Sequence, residues 1–260
     1  SITLKEMRNN MLQKSIFNNM LSLTSSKIFL ALSLYPFLYL ITLFLPTNFM
    51  QIGGIDNGLS GLDFYYGIVI AQSQFAIPLI MMSYFVSKLF YEEHNTGKLI
   101  IYKDIKRSRL LNAKLHTLLS FYGLYLILLF ISSEILYFSF IKNFNYASGS
   151  FLPSDKTIIY NDLLNIIGLF EISFIAIFFA ILLSMRFSSG FTILGVILLF
   201  MIISIAPLIK GMQYIFPNSY NNVVDLNDFF IKLFFSILIT SFYSLLFYIL
   251  SLRIFNNLEY

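Results

Sequence analysis

The 260-residue sequence predicts an all-α, polytopic membrane protein, six transmembrane helices preceded by an amphipathic helix, and three observations carry that expectation. Six long apolar runs cover 28–46, 64–88, 117–140, 163–184, 191–209 and 229–252. At 1.5 Å of rise per residue each is long enough to cross a hydrocarbon core of roughly 30 Å, and lipid tolerates no open strand edges in their place. Hydrophobic residues make up 58% of the chain and charged residues only 12%, against about a quarter in a soluble domain, which leaves little room for one. Thirteen of the seventeen Lys and Arg residues fall on one side of the six runs.

That bias orients the chain. Lys5, Arg8, Lys14 and Lys27 precede the first run; Lys88, Lys98, Lys103, Lys106, Arg107, Arg109 and Lys114 lie between the second and third; Arg186 and Arg253 complete the set. By the positive-inside rule this predicts a multi-pass protein of the cell membrane with both termini in the cytosol. The outer loops carry Asp56, Asp63, Asp155, Asp162, Asp225 and Asp228, a mildly acidic mouth. The basic inner face suits the anionic headgroups of the lipid bilayer and gives no reason to expect nucleic acid. Cysteine is absent, which excludes disulfides, thiolate metal sites and cysteine nucleophiles. His94 and His116 lack second ligands at metal spacing, so no metal site is expected. No cleavage site follows a short apolar core near the start, and the first span itself is expected to direct insertion.

Taken in order, residues 1–26 read as an interfacial amphipathic helix, because Leu4, Met7, Met11, Leu12, Ile16, Phe17 and Met20 recur at three- and four-residue intervals between Lys5, Arg8, Gln13 and Lys14. Ser22 to Ser26 is expected to turn the chain into the membrane. The second span carries Gln72, Ser73 and Gln74, a kink at Pro78, and a face shared by Gln72, Ala76, Ser83 and Ser87. Such a face fits either a lined path or interhelical glue. Residues 89–116 form the longest cytosolic segment, where Asn95-Thr96-Gly97 should break the helix and Leu99, Ile100, Ile101 and Tyr102 are too apolar for a solvated loop. Those four are expected to dock on a protein surface. In the third span Glu134 shares a face with Ser120, Gly123 and Ile127, which predicts a structural, hydrogen-bonded carboxyl. In the fourth, Ser173, Ala176, Ala180 and Ser184 form a packing seam from which Glu171 points away, toward a partner subunit, a cavity or the outer mouth.

The cytosolic segment resembles that of permease subunits of type 2 ATP-binding-cassette (ABC) exporters, especially the six-span subunits of bacitracin resistance and lantibiotic immunity. Glu93, Thr96, Gly97, Leu99, Arg107 and Lys114 match the acidic residue, turn, coupling helix, basic residue and Lys of that family, although Thr precedes Gly here and Asp104-Ile105-Lys106 replaces the usual Pro. Residues 210–228, with Tyr214-Ile215-Phe216-Pro217-Asn218-Ser219-Tyr220, look like its outer re-entrant segment. The resemblance implies that Thr96 to Tyr102, with Glu93 and Arg107, couple to a cytosolic ATPase, and that the second span, with Gln72, Gln74 and Ser83, borders a translocation path; Glu171 is a further candidate for that path, or else a paired structural carboxylate. It implies a dimer, with itself or a related permease, on two ATPase subunits, exporting amphipathic or antimicrobial peptides. ATP and Mg would bind those subunits and no cofactor this chain, which has no Gly-x-x-x-x-Gly-Lys-Ser/Thr loop and is itself no enzyme. The Asn, Ile, Lys and Phe usage fits a Gram-positive bacterium with an AT-rich genome.

Two rivals remain open at this level. One is a stand-alone membrane binding or immunity protein without an ATPase. The other is an intramembrane protease of the Glu-Glu-x-x-x-Arg type, which Glu92-Glu93 begins; Gly97 stands at its Arg position and no His lies within a span.

Overall fold

The computed structural model describes residues 4–44, 56–220 and 222–258, and among them every regular element is a helix. In chain order these are α1 (Leu4–Ser22), α2 (Thr24–Ala31), α3 (Tyr39–Phe44), α4 (Gly61–Gln74), α5 (Ile77–Ser87), α6 (Glu93–Asn95), α7 (Arg107–Ser139), α8 (Lys156–Ser184), α9 (Ser189–Ile205) and α10 (Leu226–Asn256). Five stretches are long and apolar enough to cross a membrane, and the α4–α5 pair, bent by 59°, makes a sixth if its pieces count as one. The chain is thus a helical membrane-embedded protein.

α8 is the central helix. It packs on α4, α5, α9 and α10, and 61% of its most apolar stretch is buried, against 22% for α9 and 17% for α10. α9 and α10 therefore turn broad apolar faces outward, as lipid-facing helices do. A second cluster joins α2, α5 and α7, where the Phe29 ring lies 5.7 Å from Phe85, 5.3 Å from Phe121 and 4.6 Å from Tyr125.

The helix ends gather into two layers. In one, Ser87 bonds Ser189 (2.9 Å), Tyr248 bonds Asn112 (2.7 Å), and Arg107 donates to the Phe255 carbonyl (3.1 Å). Lys88, Lys98, Lys103, Lys106, Arg107, Arg109, Lys114, Arg186 and Arg253 belong to this basic end. In the other, Asn57 N–H donates to Asn145 O (2.8 Å) and Asn161 both gives and takes a bond with the Val223 backbone.

Three of the six acidic-end aspartates secure helix starts. Asp155 and Asp225 are the N-caps of α8 and α10, accepting from Thr157 N–H and Asp228 N–H at 2.8 Å each. Asp63 closes a capping box with Ser60 at the start of α4. All four donors there are satisfied: Ser60 N–H by Asp63, Gly61 N–H by Ser150 O, Leu62 N–H by Phe151 O, and Asp63 N–H by the Ser60 hydroxyl.

Several expected boundaries move. α7 starts at Arg107, ten residues before the apolar run, because helix geometry continues past the membrane where polar residues meet water. The Ser22–Ser26 turn narrows to a break at Leu23, and α1 packs along α7 with Ile16 and Met20 buried. Positions 45–46 of the first span, and the side chains of Leu4, Lys5, Met7 and Arg8, lie outside the described residues. The first span is interrupted by a 3-10 stretch, Leu32–Leu38, containing Pro36. The kink of the second lies at Phe75–Ala76, before Pro78: Pro78 has no N–H for the Gln74 carbonyl, so α4 ends there, and Ala76 takes φ 51° before α5 restarts with Pro78 in its first turn.

Candidate functional site

The segment expected to couple, residues 89–116, is a braced arm at the basic end. After α5 the helix loosens into a π turn, Lys88–Glu92, then α6, and the Thr96 hydroxyl donates back to Glu92 O (2.6 Å). Gly97 ends it at φ 70°, a backbone angle that costs a residue with Cβ far more. A 3-10 turn, Lys98–Tyr102, follows.

Lys114 holds the arm from below. Its side chain is fully buried, and its ammonium donates to the Leu89 carbonyl in the π turn and to Glu93 Oε2 at 2.8 Å. It also lies 5.0 Å from the Phe90 ring centre and 5.8 Å from that of Tyr102. Burial, and Glu93 beside it, push the Tyr102 hydroxyl above its ordinary pKa. Arg107 stacks over Phe255, 5.7 Å to the ring centre, fastening α7 to α10.

The eight residues assigned to coupling thus divide. Glu93, Thr96, Gly97, Leu99, Tyr102 and Arg107 face inward or shape the turn, with Leu99 only 2% exposed. Ile100 and Ile101 point out, 56% and 75% exposed, between Lys98 and Lys103. The pair is thus the apolar surface of the arm that its internal packing leaves uncovered.

The four residues assigned to a path do not converge. Gln74 is exposed, and Ser83 spends its hydroxyl on its own helix at Leu79 O (2.7 Å). Gln72 is buried and fully engaged: Nε2 donates to Leu32 O at 3.0 Å, and Oε1 accepts from the Tyr125 hydroxyl. The reason lies in Pro36, which offers no N–H to the carbonyls of Leu32 and Ser33; Gln72 serves the first and the Ser132 hydroxyl the second. The cavity beside Gln72, lined also by Ser73, Tyr122, Ser173 and Phe200 at the α4–α5 bend, holds about 40 Å³, room for a few waters.

The buried acids sit apart. Glu171 faces α10, with Oε1 accepting from the Ser236 hydroxyl at 3.3 Å and Oε2 lacking a partner among the described residues. Glu134 departs from expectation, since neither carboxylate oxygen has a hydrogen-bond partner among the described residues. It lies against the first turn of α4, where a Cβ on Gly61 would come 2.7 Å from Oε2. The loop carbonyls of Ser150 and Phe151 have already taken the N–H groups of Gly61 and Leu62. Asp162, 6% exposed, stands beside Asp63, and its Oδ2 has no hydrogen-bond partner among the described residues.

Missing from the sequence reading is the stripe of Ser236, Thr240, Ser244 and Ser251 that α10 buries. Their spacing of four, four and seven residues within an apolar run, which keeps them on one helix face, was the available signal. No family model, curated protein or solved structure matches the chain.

Proposed function

We propose that the chain is the permease subunit of an ATP-driven exporter of the type 2 ABC kind, with six spans and both termini in the cytosol of a Gram-positive bacterium. Two copies, or this chain and a related permease, would stand on two cytosolic ATPase subunits that bind the ATP and Mg. The observation that carries this reading is the exposed Ile100–Ile101 pair, held by the Lys114–Glu93 brace at the basic end. A groove on an ATPase would receive the pair, and the rigid arm would pass its closure to α5 and α7. The cavity beside Gln72 admits only waters, which favours a path between two permeases over one through a single chain. Amphipathic or antimicrobial peptides are the proposed cargo, matched to apolar walls.

The test is affinity purification from the native membrane in gentle detergent, comparing the intact chain with Ile100→Asp/Ile101→Asp. Leu99 and Tyr102 stay untouched because they belong to the internal brace. An ATPase that copurifies with the intact chain and is lost from the variant is the expected result. No ATPase with either would point instead to a stand-alone binding or immunity protein. In the reconstituted complex, peptides that leave ATPase turnover unchanged would remove the proposed cargo.

A further inference from the structure

At the basic end, α8 and α10 finish side by side, and between their ends lies a groove of about 460 Å³ lined by Arg186, Leu250, Arg253, Ile254, Asn257 and Leu258. Both arginines are exposed, and neither makes an ion pair or hydrogen bond among the described residues. Two guanidiniums in one groove, unpaired among the described residues, are each a planar fork suited to two oxygens of a carboxylate or phosphate. The C-terminal ends of α8 and α10 add partial negative charge of about half a unit each, which two full positive charges outweigh.

We propose that this groove binds the phosphate of an anionic phospholipid. Three features favour a lipid over a free phosphate. The groove lies at the ends of two membrane-crossing helices, at headgroup depth. Leu250, Ile254 and Leu258 give it an apolar wall that a phosphate ion would leave wet and a lipid's glycerol and first methylenes would cover. Arg186 also stands between Leu183 and Phe187, which line an apolar groove of about 340 Å³ between α8 and α9, without polar surface, able to take an acyl chain. The site is independent of any ATPase partner.

Native mass spectrometry of the purified protein, offered phosphatidylglycerol or phosphatidylcholine in a neutral detergent, reads this directly. The intact chain should retain phosphatidylglycerol in preference. Each Arg→Gln change should weaken retention about fivefold, and Arg186→Gln/Arg253→Gln about twenty-five-fold, at roughly 1 kcal/mol per basic residue near the membrane surface. Arg186→Lys/Arg253→Lys should keep part of the preference, and Arg109→Gln, on the same end but outside the groove, all of it. Should the double Gln variant not fold, the single variants decide in its place. Equal retention by the intact and Gln-substituted chains would overturn the proposal. So would inorganic phosphate displacing the lipid from the intact chain as well as phosphatidylglycerol does, which would make the groove a free-anion site.

Discussion

At the scale of single residues, Lys114 is the most committed charge in the molecule. It is fully buried, and its partner Glu93 keeps 20% of its side chain exposed. Removing one member of a buried pair costs about 3–5 kcal/mol, because the other is left buried and unpaired; the residual exposure of Glu93 brings the expected cost of Glu93→Gln nearer about 2 kcal/mol. Adding Lys114→Met should recover most of that loss, since no buried charge then remains. Thermal unfolding followed by circular dichroism decides, and a deficit that Lys114→Met leaves in place would refute the brace. The sequence marked Glu93 and Lys114 separately, but not their contact, since the meeting depends on a π turn and a helix start that no local pattern encodes. The acidic mouth shows the opposite limit: Asp63, Asp155 and Asp225 are helix caps, and Asp228 pairs with Lys232 at 2.8 Å. Counting them as a rim available to cargo overstates its charge. Asp155→Ala should cost about 1 kcal/mol of stability in the same assay, as loss of an N-cap does, and no measurable loss would mean that the cap is dispensable.

Between elements, the first span is held by what Pro36 lacks. Gln72 and Ser132 reach across from α4 and α7 to the two carbonyls that Pro36 leaves without a donor. Gln72→Leu should therefore destabilise by about 1–2 kcal/mol, stranding both Leu32 O and the Tyr125 hydroxyl. The penalty should shrink in a Pro36→Ala background, where the restored N–H serves one of those carbonyls. Equal penalties in the two backgrounds, measured as a double-mutant cycle, would show that Gln72 acts otherwise. Here the polar face of the second span was legible and its purpose was not: lining and glue share one composition, and only the position of Pro36, thirty-six residues before Gln72, separates them. Glu171 followed the same logic, since its avoidance of the Ser173–Ser184 seam could be read from helical angles, but its contact with Ser236 could not.

For the molecule as a whole, the helical, membrane-embedded class was legible because run length and low charge are properties of the solvent the chain must satisfy. The bend of the second span was legible from Pro78, displaced to Phe75–Ala76, whereas the interruption at Leu32–Leu38 was not read, although Pro36 within that run was its signal. Orientation is open to a direct test, and the absence of native cysteine makes it clean. Single cysteines at Ser154 and at Asp104, both exposed and on opposite ends, should differ in intact cells: a membrane-impermeant maleimide is expected to label Ser154→Cys alone. Labelling of Asp104→Cys instead would invert the topology and with it the coupling reading. One consequence concerns biogenesis. The first turn of α4 takes two of its four backbone partners from Ser150 and Phe151, residues made only after α7 has been synthesised in full. During translation the first turn of α4 is therefore left unfinished, and it closes only once the chain has turned back beyond α7 to supply the missing carbonyls.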